Sequence, residues 1–323
     1  MMYKVIMAPT EGSEIERPAI TLAARLAQRF DAELRLVRVE SAPVVVETIS
    51  SPGAHRATEQ EYTEARMARL RNLEALGSEC RLLGGIRVIT AVENGIVTST
   101  LHDYAERFNV DLIVMSSHSQ GGLKRITMGS VTDYLIRHAG IPVLVVKPSI
   151  SSEGSDPVRT FNRIIVPLDG SVLGEQILPQ VAALASRVNA TACLLQVLTP
   201  LTYSQKRIMQ PGLPWWDEDI EVANTYLTAA ARSLEDAGLS VSKDVVLNDD
   251  IATAILDYSL RMRADLIAIA TTGVGGLERF VFGSVADEVT RKSQTSLLVF
   301  HPSQVIAPSE RAAQPGAHTF TTT

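Results

Sequence analysis

The chain carries one phrase twice, and this duplication constrains its possible folds more than any other feature. Ser116-Ser117-His118-Ser119-Gln120-Gly121-Gly122-Leu123 runs on to Gly129-Ser130-Val131-Thr132-Asp133. Ala270-Thr271-Thr272-Gly273-Val274-Gly275-Gly276-Leu277 runs on to Gly283-Ser284-Val285-Ala286-Asp287. An earlier pair, Pro9-Thr10-Glu11-Gly12-Ser13 and Pro167-Leu168-Asp169-Gly170-Ser171, repeats at nearly the same separation. Two pairs at similar offsets imply one duplicated domain, and 323 residues suffice for two domains that each bury a core.

Charge and cysteine content narrow the function classes. Thirty Lys and Arg against 36 Asp and Glu leave a net charge of −6, with no basic footprint for nucleic acid or for an anionic membrane. The two cysteines, Cys80 and Cys193, fall at unrelated positions of the two halves. They cannot form a disulfide framework or a metal cage, and they read as small apolar residues in a reducing compartment. The opening ten residues are too soon polar for a secretory signal and no apolar run reaches membrane-spanning length, so a cytoplasmic protein is expected.

Each half alternates short β-branched apolar runs with longer segments of helical period, the pattern of a parallel sheet covered on both faces. Strands are expected at residues 4–8, 33–39, 87–92, 112–116 and 143–147, and again at 163–167, 191–198, 241–247, 266–270 and 297–300. Helices are expected at 14–30, 58–76, 95–108 and 131–138, then at 174–187, 219–237, 251–263 and 285–292. The fold class is therefore α/β, two tandem doubly wound sheets of five parallel strands. Residues 1–148 form the first domain, the polar stretch 149–160 a linker, 161–302 the second domain and 303–323 a disordered tail. Long loops, with lid or interface roles open to them, are expected at 41–60 and 199–218, the latter holding Trp215 and Trp216. The final strands of the two halves, 143–147 and 297–300, can pair within the chain.

Ligands of doubly wound sheets bind beyond the carboxyl ends of the strands, where both repeated phrases fall. Glycines bare backbone N–H groups to an anion, and a helix N-terminus adds partial positive charge. Phosphate is the natural guest. Ser284 could offer its N–H and hydroxyl to a phosphate or could cap its helix, and the residues alone leave both open. On the first loop, His118, Lys124 and Arg125 read as solvated side chains or as phosphate partners.

The spacing Ala270-x2-Gly273-x9-Gly283-Ser284 resembles the nucleotide-binding signature of the universal stress protein family, and the resemblance extends over nearly the whole chain in two copies. It implies a Rossmann-like fold of the adenine nucleotide alpha hydrolase type with strand order 3-2-1-4-5. The cofactor implied is ATP, or AMP or ADP, with Mg2+ in some members. In the second half it places Asp169 with Pro167 and Leu168 by the ribose and phosphates, Val197 at the adenine, and Gly273, Gly283, Ser284 and Val285 around the phosphates, with Ala270 where glycine is frequent. In the first half the matching positions are Pro9, Thr10, Glu11, Val39, Ser116, Ser119, Gly129, Ser130 and Val131. There Glu11 stands for aspartate, and Ser116 and Ser119 stand for glycines.

No Walker lysine, zinc spacing or nucleophile elbow occurs, so weak ATP hydrolysis is the most expected of it as an enzyme. The leading expectation is an adenine-nucleotide-binding regulator of the stress response, with partner proteins and a homodimer compatible with it. An interaction scaffold with empty cradles, or a slow ATPase or nucleotidyl transferase, stand as alternatives.

Overall fold

The computed structural model describes residues 3–40, 59–117, 128–147, 161–199, 215–271 and 283–301. The expected linker 149–160, the tail, most of both long loops, and Ser119 and Gly273 with the loops that hold them lie outside the described residues.

The first half runs β1 (Val5–Pro9), α1 (Arg17–Phe30), β2 (Glu33–Glu40), α2 (Glu59–Leu82), β3 (Arg87–Asn94), α3 (Val97–Arg107), β4 (Leu112–Ser116), α4 (Ser130–His138) and β5 (Val143–Val146). The second half runs β6 (Arg163–Pro167), α5 (Leu178–Val188), β7 (Thr191–Leu198), α6 (Trp215–Glu235), β8 (Val241–Leu247), α7 (Ile251–Arg261), β9 (Leu266–Ala270), α8 (Ser284–Lys292) and β10 (Ser296–Phe300). Each half has the order 3-2-1-4-5. Antiparallel pairing of β5 with β10, Leu144 opposite Leu298, joins them into one sheet of ten strands, β3-β2-β1-β4-β5-β10-β9-β6-β7-β8. The expected pairing of final strands is thus present and makes a single sheet of the two.

Alternation of side chains sorts the strand residues to two faces. Leu112 and Val114 enter one core while Ile113 and Met115 enter the other, and all four are buried. Burial on both faces is what a continuous apolar run in a parallel sheet requires. The outermost strands β3 and β8 carry exposed Arg87 and Lys243, charges that keep a free sheet edge from pairing further.

The buried residues of α1 include Ala19, Ala23, Ala24 and Ala27, whose small side chains let the helix lie close on the sheet. It ends at Asp31 in the left-handed conformation (φ 53°), as α5 ends at Asn189 (φ 55°). Tyr3 donates to Gln180 at 2.9 Å, and the Arg29 guanidinium donates to the Arg187 carbonyl at 2.9 Å, so the two halves also meet through helices on this face. Both cysteines are buried thiols without a disulfide, and burial pushes the Cys80 thiol up to about 11.

Several boundaries differ from the sequence expectation. Each first helix begins as a short 3-10 turn, Glu14–Glu16 and Gly174–Ile177, before prolines at the first α-helical turn set the α path. Trp215 and Trp216 belong to the first turn of α6 and not to an irregular loop, because the helical segment starts four residues earlier than its apolar periodicity indicates.

Candidate functional site

In both halves the β-strand to helix turn is made by a glycine at φ 83°, Gly12 and Gly170, a conformation that suits glycine. In the second half Asp169 Oδ1 accepts the Ser171 N–H at 2.9 Å and the Ser171 hydroxyl at 2.6 Å. The Ser171 oxygen in turn accepts the Gly174 N–H at 2.9 Å. This local net holds the Asp169 carboxylate at the carboxyl edge of β6. A Cβ on Gly174 would stand 2.7 Å from Asp169 Oδ1, so only glycine leaves the net undisturbed.

Across the sheet edge, Gly283 is the N-cap residue of α8 (φ −60°, ψ 139°), and its N–H donates to the Thr271 carbonyl at 3.2 Å. Ser284 is therefore the first helical residue and does not cap the helix. The N–H groups of Ser284, Val285 and Ala286 have no acceptor within the helix and carry the positive end of its dipole. The same arrangement recurs at Gly129 and Ser130 on α4.

Between these edges lies a cavity of about 830 Å³. Leu195, Val197, Ile251, Ile255 and Ile269 form an apolar wall, and Pro167, Leu168, Asp169, Gly174, Ala270, Gly283, Ser284 and Val285 form the rim. Pairing of β6 with β7 ends at Pro167 opposite Leu195, with the Leu168 N–H closing on the Leu195 carbonyl at 2.9 Å. Since backbone groups of a parallel strand alternate in direction, the N–H and C=O of Val197 run past this last rung toward the cavity. Two guanidiniums, Arg137 and Arg291, and the Asp287 carboxylate complete the wall.

The first half gathers the counterparts of these residues around a cavity of about 70 Å³: Pro9, Thr10, Glu11, Val39, Ser116, Gly129, Ser130 and Val131, with Glu16 among them. Glu16 is 6% exposed. Its carboxylate accepts the Thr10 hydroxyl at 2.8 Å and the N–H groups of Glu11, Gly12 and Ser13 at 3.0, 3.1 and 3.1 Å. Arg38 adds a bond to the Glu11 carbonyl at 2.5 Å. The Glu11 side chain itself is exposed.

The residues named from the family resemblance, Ser119 and Gly273 apart, line these two cavities. Sequence reasoning omits the apolar wall from α7, Arg137 contributed by the other half, and the Glu16 and Gly174 pair. The repeat itself held that last signal, since Glu16 and Gly174 stand at matching distances after Gly12 and Gly170. Away from both cavities' rims, His102, Asp103 and Glu106 on α3 bring potential metal-ligand atoms within 4.8 Å of one another, but both carboxylates are exposed.

The profile of the Universal stress protein family matches residues 2–147 and again residues 160–301. A universal stress protein of Mycolicibacterium smegmatis is 26% identical over 305 residues, covering 92% of this chain and 97% of that protein. Another from Methanocaldococcus jannaschii is 31% identical over 146 residues, 45% of this chain and 83% of its own. The crystal structure of a universal stress protein from Archaeoglobus fulgidus superposes with a TM-score of 0.68 at 16% identity, covering 94% of this chain and all of that one, a likeness of fold. No helix among the described residues is long and apolar enough to cross a membrane. With its profile matched twice along one chain, this protein belongs to the universal stress protein family as a tandem, two-domain member.

Proposed function

We propose that the protein is a cytoplasmic regulator that binds an adenine nucleotide, ATP or its mono- or diphosphate, in the cleft of the second half. The supporting observation is the form of the 830 Å³ cavity, which sets an apolar wall beside the N-terminus of α8. A volume in this range suits a ligand of several hundred daltons, and a planar base against aliphatic side chains with a phosphate at the helix start uses both parts. The Val197 backbone offers one donor and one acceptor to the edge of adenine. Asp169 stands where a ribose hydroxyl would donate to it, and Mg2+ carried by the phosphates would meet the same carboxylate. Domains of residues 1–148 and 161–302 joined by 149–160 suit this reading.

Titration calorimetry with Mg-ATP and with AMP tests the proposal. Saturable binding is expected, weakened about tenfold, ~1.4 kcal/mol, in Asp169→Ala. Absence of heat and of any thermal shift at millimolar nucleotide would contradict it.

A further inference from the structure

We infer that Glu16 is a resident carboxylate that occupies the anion-binding turn of the first half, so that the chain carries one working nucleotide cleft and one that is closed by its own side chain. The inference rests on the nucleotide reading of the second half and adds to it a stoichiometry and a cause.

Four donors of one turn, three of them backbone N–H groups, converge on the Glu16 carboxylate within 3.1 Å. Such a nest of N–H groups is an anion site, and here the anion is part of the chain. Glu16 is nearly fully buried, so its charge is held inside the cleft and not turned to solvent. A phosphate at the start of α4, the match of the position proposed at Ser284, would share this cavity with a fixed negative charge. The cavity left beside it, about 70 Å³, is a few waters in size, whereas the matching cavity of the second half is about 830 Å³.

The duplication supplies the control. Position 174 matches position 16 and carries glycine, and the turn around it keeps its Ser171 net and an open cleft. Among the other rim positions, Pro9 and Pro167, Val39 and Val197, and Ser130 and Ser284 match in kind, while Glu11 stands against Asp169 and Ser116 against Ala270. Glu16 also fixes the Thr10 hydroxyl, whereas the matching position 168 is leucine, which has nothing to offer a carboxylate. The first half has thus exchanged a ligand for a side chain while keeping the turn.

Equilibrium dialysis of the full chain against Mg-ATP tests this, with Glu16→Gly, Glu16→Ala and Gly174→Glu as variants. The unaltered chain is expected to take one nucleotide. Gly174→Glu is expected to take none while melting cooperatively, and Glu16→Gly to take two. If Glu16→Gly loses its cooperative transition, Glu16→Ala makes the same comparison. An unaltered chain that takes two, a Gly174→Glu chain that still takes one, or folded Glu16 variants that remain at one would each overturn the inference and leave the nucleotide reading standing. An unaltered chain that takes none contradicts the nucleotide reading, and this inference falls with it.

Discussion

Arg137 on α4 of the first half donates from Nη2 to Asp287 Oδ1 on α8 of the second half, at 2.6 Å. The same guanidinium holds Asp133 on its own helix, with both carboxylate oxygens 3.1 Å from Nε. Arg291 reaches Asp287 from the other side at 2.9 Å. Asp133 and Arg137 match Asp287 and Arg291 in the repeat, so two copies of one helical i,i+4 pair are bridged across the junction of the sheet. Hydrogen bonding to Asp133 is the largest effect raising the Arg137 pKa, against burial, and the Asp287 bond adds to it.

Arg137→Ala is expected to lower the unfolding free energy by about 1 kcal/mol, the scale of a partly exposed ion pair. Because Arg137 also lines the larger cavity, Mg-ATP affinity should fall about three- to tenfold, ~1 kcal/mol. Denaturant melts and calorimetry on the variant check the two effects separately. Unchanged stability would remove the bridge from the account.

Ser284→Glu separates a ligand role from a structural one. A carboxylate in the first turn of α8 interacts favourably with the helix dipole, by about 0.3–1 kcal/mol, so thermal stability should hold or rise slightly. The same charge stands where a phosphate is proposed to sit, and nucleotide binding should be lost. Loss of both folding and binding, or retention of binding, would count against the placement of the phosphate.

His301 packs at the end of β10 with its Nδ1 2.6 Å from the Thr271 hydroxyl. Burial first, and then the charges of His138 and Arg137, lower its pKa below the ordinary histidine value. The unfolded chain then holds more protons than the folded one as pH drops below about 6.5, so stability falls with acidification in that window. His301→Gln is expected to flatten this part of the stability curve. An equal acid slope in variant and parent would contradict the assignment.

Lys147 occupies the matching position at the end of β5. It is 6% exposed, and its Nζ has no hydrogen-bond partner among the described residues. Burial lowers its pKa, so the folded state disfavours the proton, and stability should rise as pH climbs from that lowered value toward the ordinary lysine value of about 10.4. Lys147→Met removes the buried ammonium and should stabilise the protein at neutral pH by about 1–3 kcal/mol, with a shallower rise above it. Chemical denaturation at pH 7 and pH 9.5 measures both. A destabilised variant would show that the ammonium has a role in folding.

The ten strands were legible from local pattern, and the pairing of the halves from the duplication together with the resemblance to the universal stress protein family. Continuous runs such as 112–116 and 266–270 read as strands buried on two faces, and their order 3-2-1-4-5 came from the family resemblance. Gly283 and Ser284 were legible as a helix start, but which of the two caps the helix depends on the chain leaving Thr271, which the sequence does not encode locally. Glu16 was legible in part. Ser13-x-x-Glu16 has the capping-box spacing that returns the carboxylate to the Ser13 N–H, whereas its further bonds to Thr10, Glu11 and Gly12 form only when the Gly12 turn closes. Arg137 enters the second cleft through the antiparallel junction, a relationship between residues 150 positions apart in the chain.

Hydrogen exchange of the full chain, read by mass spectrometry with and without saturating Mg-ATP, tests the central claim most directly. Protection is expected in 195–198, 251–255 and 283–289, with residues 9–16 and 129–135 unchanged. Exchange that is unaltered throughout, or protection confined to the first half, would contradict it.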